Sequence, residues 1–200
     1  MKKVLLVTGG FFHPPFFGRL VLHRTLRQMA GFSFLHVPSL ERLPSDLEQF
    51  SAMVLHFHHK KISSTALQRL DNFVKNGGGI LAIHAATASF KETLPYFEIL
   101  GGRFTGHGAV ENLVIQKVRG DIFPDIDDFT VKDELYIHEL QPGIETHFTA
   151  NHAGKDIPAV WTHRYHKGKV CYSVPGHTTG SMRNTNYQRL LQRGLTWVAE

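Results

Sequence analysis

Short apolar runs closed by glycine, proline or polar turns alternate, over the first ninety residues, with segments whose apolar positions recur every three to four. Residues 3–8 form an apolar run ended by Gly9-Gly10, the signature of a buried strand. A loop rich in Gly, Pro and Phe follows over residues 9–18. Leu22, Leu26, Met29 and Ala30 then share one helical face, and Gly31 stops the helix. Residues 32–37 predict a second strand closed by Pro38, and residues 52–57 a third, followed by the polar loop His58-His59-Lys60-Lys61. Ser63 or Ser64 caps the next helix, whose apolar face is Ala66, Leu67, Leu70, Phe73 and Val74; Asn76-Gly77-Gly78 ends it. Residues 80–83 are a fourth strand that runs into His84.

Strands alternating with helices over short connections imply parallel pairing, right-handed crossovers and helices on both faces of the sheet. The second half is less regular. Residues 113–118, 159–163 and 169–174 read as strands. Residues 185–200 read as a closing helix with Tyr187, Leu190, Leu191, Leu195 and Val198 inward. The turn-rich stretch 101–151 reads as an elaboration of the core. The expectation is one α/β domain over residues 1–200, with a flavodoxin-like, mostly parallel sheet.

Composition narrows the partners. A chain of 200 residues that is 42% hydrophobic and 20% charged can bury a core of its own, so disorder is not expected. Its one cysteine, Cys171, rules out a disulfide framework within the chain and fits a reducing compartment; mid-strand, it reads as a buried, inert thiol. No apolar run approaches the ~20 residues of a membrane span, and the expected location is cytoplasmic. The net charge of +5 comes from scattered Lys and Arg without interleaved aromatics, so neither nucleic acid nor a membrane is the expected partner. The aromatic run Phe11-Phe12-His13-Pro14-Pro15-Phe16-Phe17 suggests a lid or a homodimer contact. Fourteen histidines make an acid–base or metal site worth seeking.

Open parallel sheets bind ligands beyond the carboxyl ends of their strands. Those ends carry His13, His58-His59, His84 and His177. His84 sits in Ala82-Ile83-His84-Ala85-Ala86, where small residues two positions to either side suit a sharp strand-to-helix elbow that exposes one side chain. His177 follows a strand and the Pro175-Gly176 turn. His107 stands between Gly106 and Gly108. Asp133-Glu134-Leu135-Tyr136 offers two carboxylates and a phenol, and Trp161 is either a core residue or a stacking face for a sugar. Convergent histidines with a carboxylate would suit Zn²⁺ or a similar divalent ion with one position open, and His84, His107 and His177 are the candidate ligands.

Taken together, Gly77-Gly78-Gly79-Ile80-Leu81-Ala82-Ile83-His84-Ala85-Ala86-Thr87, Gly102-Arg103-Phe104-Thr105-Gly106-His107, Asp133-Glu134-Leu135-Tyr136, Pro158-Ala159-Val160-Trp161, Gly168-Lys169-Val170 and Gly176-His177-Thr178 make the chain resemble the ThuA-like (trehalose utilisation) family over nearly its whole length. The resemblance implies a modified flavodoxin-like fold similar to class I glutamine amidotransferases, with His84 at the position of their nucleophilic cysteine and His177 near their histidine. With no cysteine at the elbow, glutamine hydrolysis through a thioester is not expected. The resemblance implies instead a role in carbohydrate utilisation, including oxidised (keto) disaccharides. The expected enzyme uses His84, His177 and Glu134 as acid–base groups or metal ligands, with His13, His107, Tyr136 and Trp161 holding a small-molecule carbohydrate. The alternative is a non-catalytic module that binds a sugar or a partner with the same residues.

Overall fold

The computed structural model describes residues 1–10 and 16–200. The four early apolar runs become β1 (Lys2–Gly9), β2 (Phe32–Val37), β3 (Ala52–Phe57) and β4 (Gly79–Ile83). Every residue of β3 and β4 is buried, as is β1 from Val4 onward, so these strands need cover on both faces. Helices α1 (Phe16–Arg27), α4 (Thr179–Arg183) and α5 (Thr185–Val198) pack together, with α5 against β3, β4 and β9 (Gly168–Ser173). Helices α2 (Ser64–Lys75) and α3 (Leu94–Leu100) pack together and cover the other side. The Ser63 hydroxyl caps α2 by accepting from the Ala66 amide at 3.1 Å.

Among the described residues, nine strands form one sheet in the order β2-β1-β3-β4-β9-β8-β7-β5-β6. From β2 to β9 neighbours are parallel. From β9 onward, through β8 (Lys155–Tyr165), β7 (Glu145–His152), β5 (Gly102–Lys117) and β6 (Phe129–Leu140), they are antiparallel. The sheet is therefore mixed, which corrects the expectation of a mostly parallel one. Strand β9 is the seam: parallel to β4 on one side, antiparallel to β8 on the other.

The stretch expected as a turn-rich elaboration holds most of three strands. β5 hides its nature because its middle is glycine-rich and largely exposed. In β6, residues Phe129, Val131, Asp133 and Leu135 are all buried at alternate positions, so a carboxylate interrupts an otherwise apolar inward row. The β5–β6 ribbon carries two irregularities, between Phe104 and Gly106 and between His107 and Val110. Such bulges bend a ribbon and re-aim its side chains. It closes over the loop after β9, where the Thr178 and Ser181 hydroxyls donate to the Lys132 carbonyl and the Asn184 amide donates to that of Thr130. Of the aromatic run, Phe16 and Phe17 open α1 and are exposed, while residues 11–15 lie outside the described residues. No helix among the described residues is long and apolar enough to cross a membrane.

Candidate functional site

His84 is the first residue past β4 and opens a single 3₁₀ turn, His84–Ala86. Its φ of 46° lies in the left-handed region, a strained conformation for a residue with a Cβ. The expected strand-to-helix elbow is corrected in two respects: the sharp turn leads into a 3₁₀ turn, with α3 beginning only at Leu94, and it buries the His84 side chain where exposure was expected. Three contacts hold it. The Tyr172 and Thr87 hydroxyls donate to the His84 carbonyl at 2.9 and 3.2 Å, and His84 Nδ1 lies 2.7 Å from the Val174 carbonyl. A carbonyl can only accept, so Nδ1 carries a proton and Nε2 is the atom presented to the site. The side chain is fully buried, and Nε2 has no hydrogen-bond partner among the described residues.

Facing Nε2 is Glu134 Oε2, at 3.7 Å. The same oxygen lies 3.4 Å from His177 Nδ1 and 3.8 Å from His107 Nδ1. The rings of His84 and His177 are 5.3 Å apart, and Tyr136 lies against His84 at 3.9 Å between ring centres. The convergence follows from topology. β4 and β9 are neighbours, so His84 and the loop beyond β9 share one sheet end, and β6 delivers Glu134 and Tyr136 across it. His84, beside Glu134, holds its carboxyl below the usual carboxylate range, with help from His177 and His107 and against the opposing effect of burial. Burial, then the nearness of His84, lowers His177; burial, then Glu134 and Asp133, push the Tyr136 phenol up, so it stays protonated.

Of the expected residues, His84, Glu134, His177 and Tyr136 come together. His107 stands at the rim, half-exposed, with Nδ1 2.8 Å from the Gly108 carbonyl. The ligand atoms that lie within 4.8 Å of one another belong to His84, Glu134 and His177, so the carboxylate takes the place expected for His107. Trp161 is corrected: it is wholly buried, donates through Nε1 to the Leu100 carbonyl at 3.1 Å and lies tilted against the Tyr172 ring, so it offers no face to a sugar. His13 lies outside the described residues.

Asp133 was not singled out as a site residue, yet it organises the site. Fully buried, its carboxylate accepts from the amides of Glu134 (2.8 Å), Gly176 (3.0 Å), His177 (3.2 Å to each oxygen) and Thr178 (3.4 Å). One carboxylate thus ties the backbones of both Glu134 and His177. Its signal was in the sequence: an acid at an inward position of an alternating strand. Gly176, between them, has φ 143°, and a Cβ there would meet Ile83 at 2.6 Å and the Cβ of His84 at 3.0 Å, so glycine is needed for the loop to lie against the elbow.

The fold is a mixed α/β sheet covered by helices, with a histidine–carboxylate cluster at one end of its parallel half. The chain belongs to the ThuA family, described as trehalose utilisation, which it matches over residues 3–198. It is similar to a ThuA-like protein of Parabacteroides merdae ATCC 43184, at 22% identity and a TM-score of 0.86, covering 99% of this chain and 90% of that one. A cytoplasmic protein of Salmonella typhimurium LT2 is similar at 18% identity and a TM-score of 0.73, covering 98% and 99%. A cold-adapted beta-galactosidase of Rahnella sp. R3 shares the fold at 13% identity and a TM-score of 0.71, over 98% of this chain but 30% of its own. No curated protein matches the sequence.

Proposed function

We propose that the chain is a carbohydrate-utilisation enzyme acting on a sugar or keto-sugar at the cluster of His84, Glu134 and His177. Family membership supports the carbohydrate, and the cluster supports the catalysis. The observation that carries the reading is the buried His84 ring, fixed in orientation with Nε2 unpartnered and turned toward Glu134. Other buried histidines, among them His56 and His138, also leave one nitrogen unpartnered; His84 adds to this a backbone held at positive φ and an open nitrogen that faces a carboxylate shared with His177. We read the parallel half, β2-β1-β3-β4-β9, as a flavodoxin-like core related to the amidotransferases, with the substrate over its carboxyl edge. Imidazoles exchange protons near neutral pH, and the C–H beside a ketone is acidified by the carbonyl, so a keto-sugar suits this set. The protonated Tyr136 phenol and His107 at the rim are placed to hold sugar hydroxyls.

The test is turnover of trehalose, other disaccharides and their keto forms by the purified chain. We expect His177→Ala and Glu134→Gln each to lower kcat/KM by roughly 10²–10⁴-fold with the melting temperature preserved. Undiminished turnover in both variants would sink the assignment; sugar binding without any product would make the chain a binding module.

A further inference from the structure

We propose that His84 Nε2, Glu134 Oε2 and a ring nitrogen of His177 bind one divalent transition-metal ion of the zinc class. Nδ1 of His84 faces the Val174 carbonyl at 2.7 Å, so Nε2 is the ring atom turned toward the cluster. Nε2 is buried without a hydrogen-bond partner among the described residues and faces a Glu134 carboxylate oxygen at 3.7 Å, a separation that two ligands of one ion can span.

Geometry points the same way. Ligands about 2.0–2.1 Å from a tetrahedral zinc lie roughly 3.3–3.5 Å from one another. Glu134 Oε2 is 3.4 Å from His177 Nδ1 and 3.7 Å from His84 Nε2, and all three donors fall within 4.8 Å. Their supports are those of metal ligands as well. The Val174 carbonyl fixes the His84 tautomer, as second-layer acceptors do for metal-bound imidazoles, and Asp133 ties the backbones of both Glu134 and His177. Two imidazoles and one carboxylate favour Zn²⁺, Co²⁺ or Fe²⁺ over Mg²⁺ or Ca²⁺ and leave open positions. Resting on the functional reading above, those positions would take the carbonyl and an adjacent hydroxyl oxygen of a keto-sugar.

The test uses the full chain, made without a histidine tag, stripped with a chelator and titrated with Co²⁺, Zn²⁺ and Mg²⁺. We expect one Co²⁺ per chain, with visible ligand-field bands, displacement by Zn²⁺ and no competition from Mg²⁺. His177→Ala and Glu134→Gln, both partly exposed and so tolerable to the fold, should each weaken binding by roughly 10²-fold or more while the melting temperature holds. No stoichiometric binding, or binding kept by both variants, would overturn the inference. Sugar turnover by a protein that binds no metal would overturn it while leaving the functional reading intact. An ion bound as described without turnover of any sugar would support it and count against that reading.

Discussion

Asp133, whose carboxylate lies 4.0 Å from His84 Nδ1, shows how one buried side chain can set a site through the backbones around it. A carboxylate accepting from four successive or facing amides is worth more than any neutral replacement, because charge-assisted bonds are stronger and each orphaned N–H adds its own cost. We expect Asp133→Asn, which keeps the shape and turns an acceptor into a donor, to cost roughly 2–4 kcal/mol in urea unfolding and to lower turnover further than stability explains. His84 and His177 were legible because strand ends are where this architecture places chemistry. Asp133 was harder to see, since an acid in a turn-rich stretch reads as solvated until the inward row of β6 is known. Trp161 fails for the converse reason: its alternating surroundings fit a face or a core equally, and only burial separates them. Histidines also set the acid limit of the fold. Burial, then the charges of His36, Arg27 and Arg19, lower His23 to about 4; burial, then His84, lower His138 to about 3. Both titrate near 6.5 when unfolded. Between the two values the unfolded chain binds the extra protons, so stability rises with pH and is lost as pH falls below about 6.5. The slope reaches at most about 1.4 kcal/mol per pH unit for His138, and less for His23, which water screens. Urea midpoints measured from pH 7 down to pH 4 should fall, and His23→Gln should flatten the curve.

At the scale of elements, the two halves of the sheet differ in how plainly the sequence announces them. Strands covered on both faces must be apolar throughout, which is why β1, β3 and β4 stand out within a residue or two of their limits. β5, with most of its middle exposed, carries no such demand, and its pairing with β6 bends at two bulges that no periodicity reports. Helix α1 also begins earlier than expected, at Phe16 and Phe17, whose exposure breaks the rule that apolar residues open onto the core. Close approaches between elements are set by glycine. A Cβ on Gly79 would run into the backbone carbonyl of Val198 at the end of α5, an atom that cannot rotate away. Gly79→Ala should therefore cost about 3 kcal/mol, read as a lower urea midpoint with an unchanged m-value. Gly176→Ala presses the loop off the elbow, and should impair turnover more than it lowers the melting temperature.

For the molecule as a whole, Cys171 offers a reporter. It lies mid-strand in β9, wholly buried beneath α5 at Gly194, and burial pushes its thiol up to about 12. A thiol reagent should label native protein only at the rate of opening of the sheet's centre, and label unfolded protein at once; fast native labelling would contradict this packing. The seam that holds Cys171 has a further consequence, for the order in which the chain can fold. β9 comes last of the nine strands in sequence, yet sits in the middle of the sheet. Until residues 168–173 emerge from a ribosome, the growing chain holds two half-sheets, each with a bare edge, at β4 and at β8. Both edges can recruit the strands of another chain. Long-range closure of this kind is slow, so synthesis stalled just before β9 should yield aggregates, and the growing chain should need protection in that interval more than at any other.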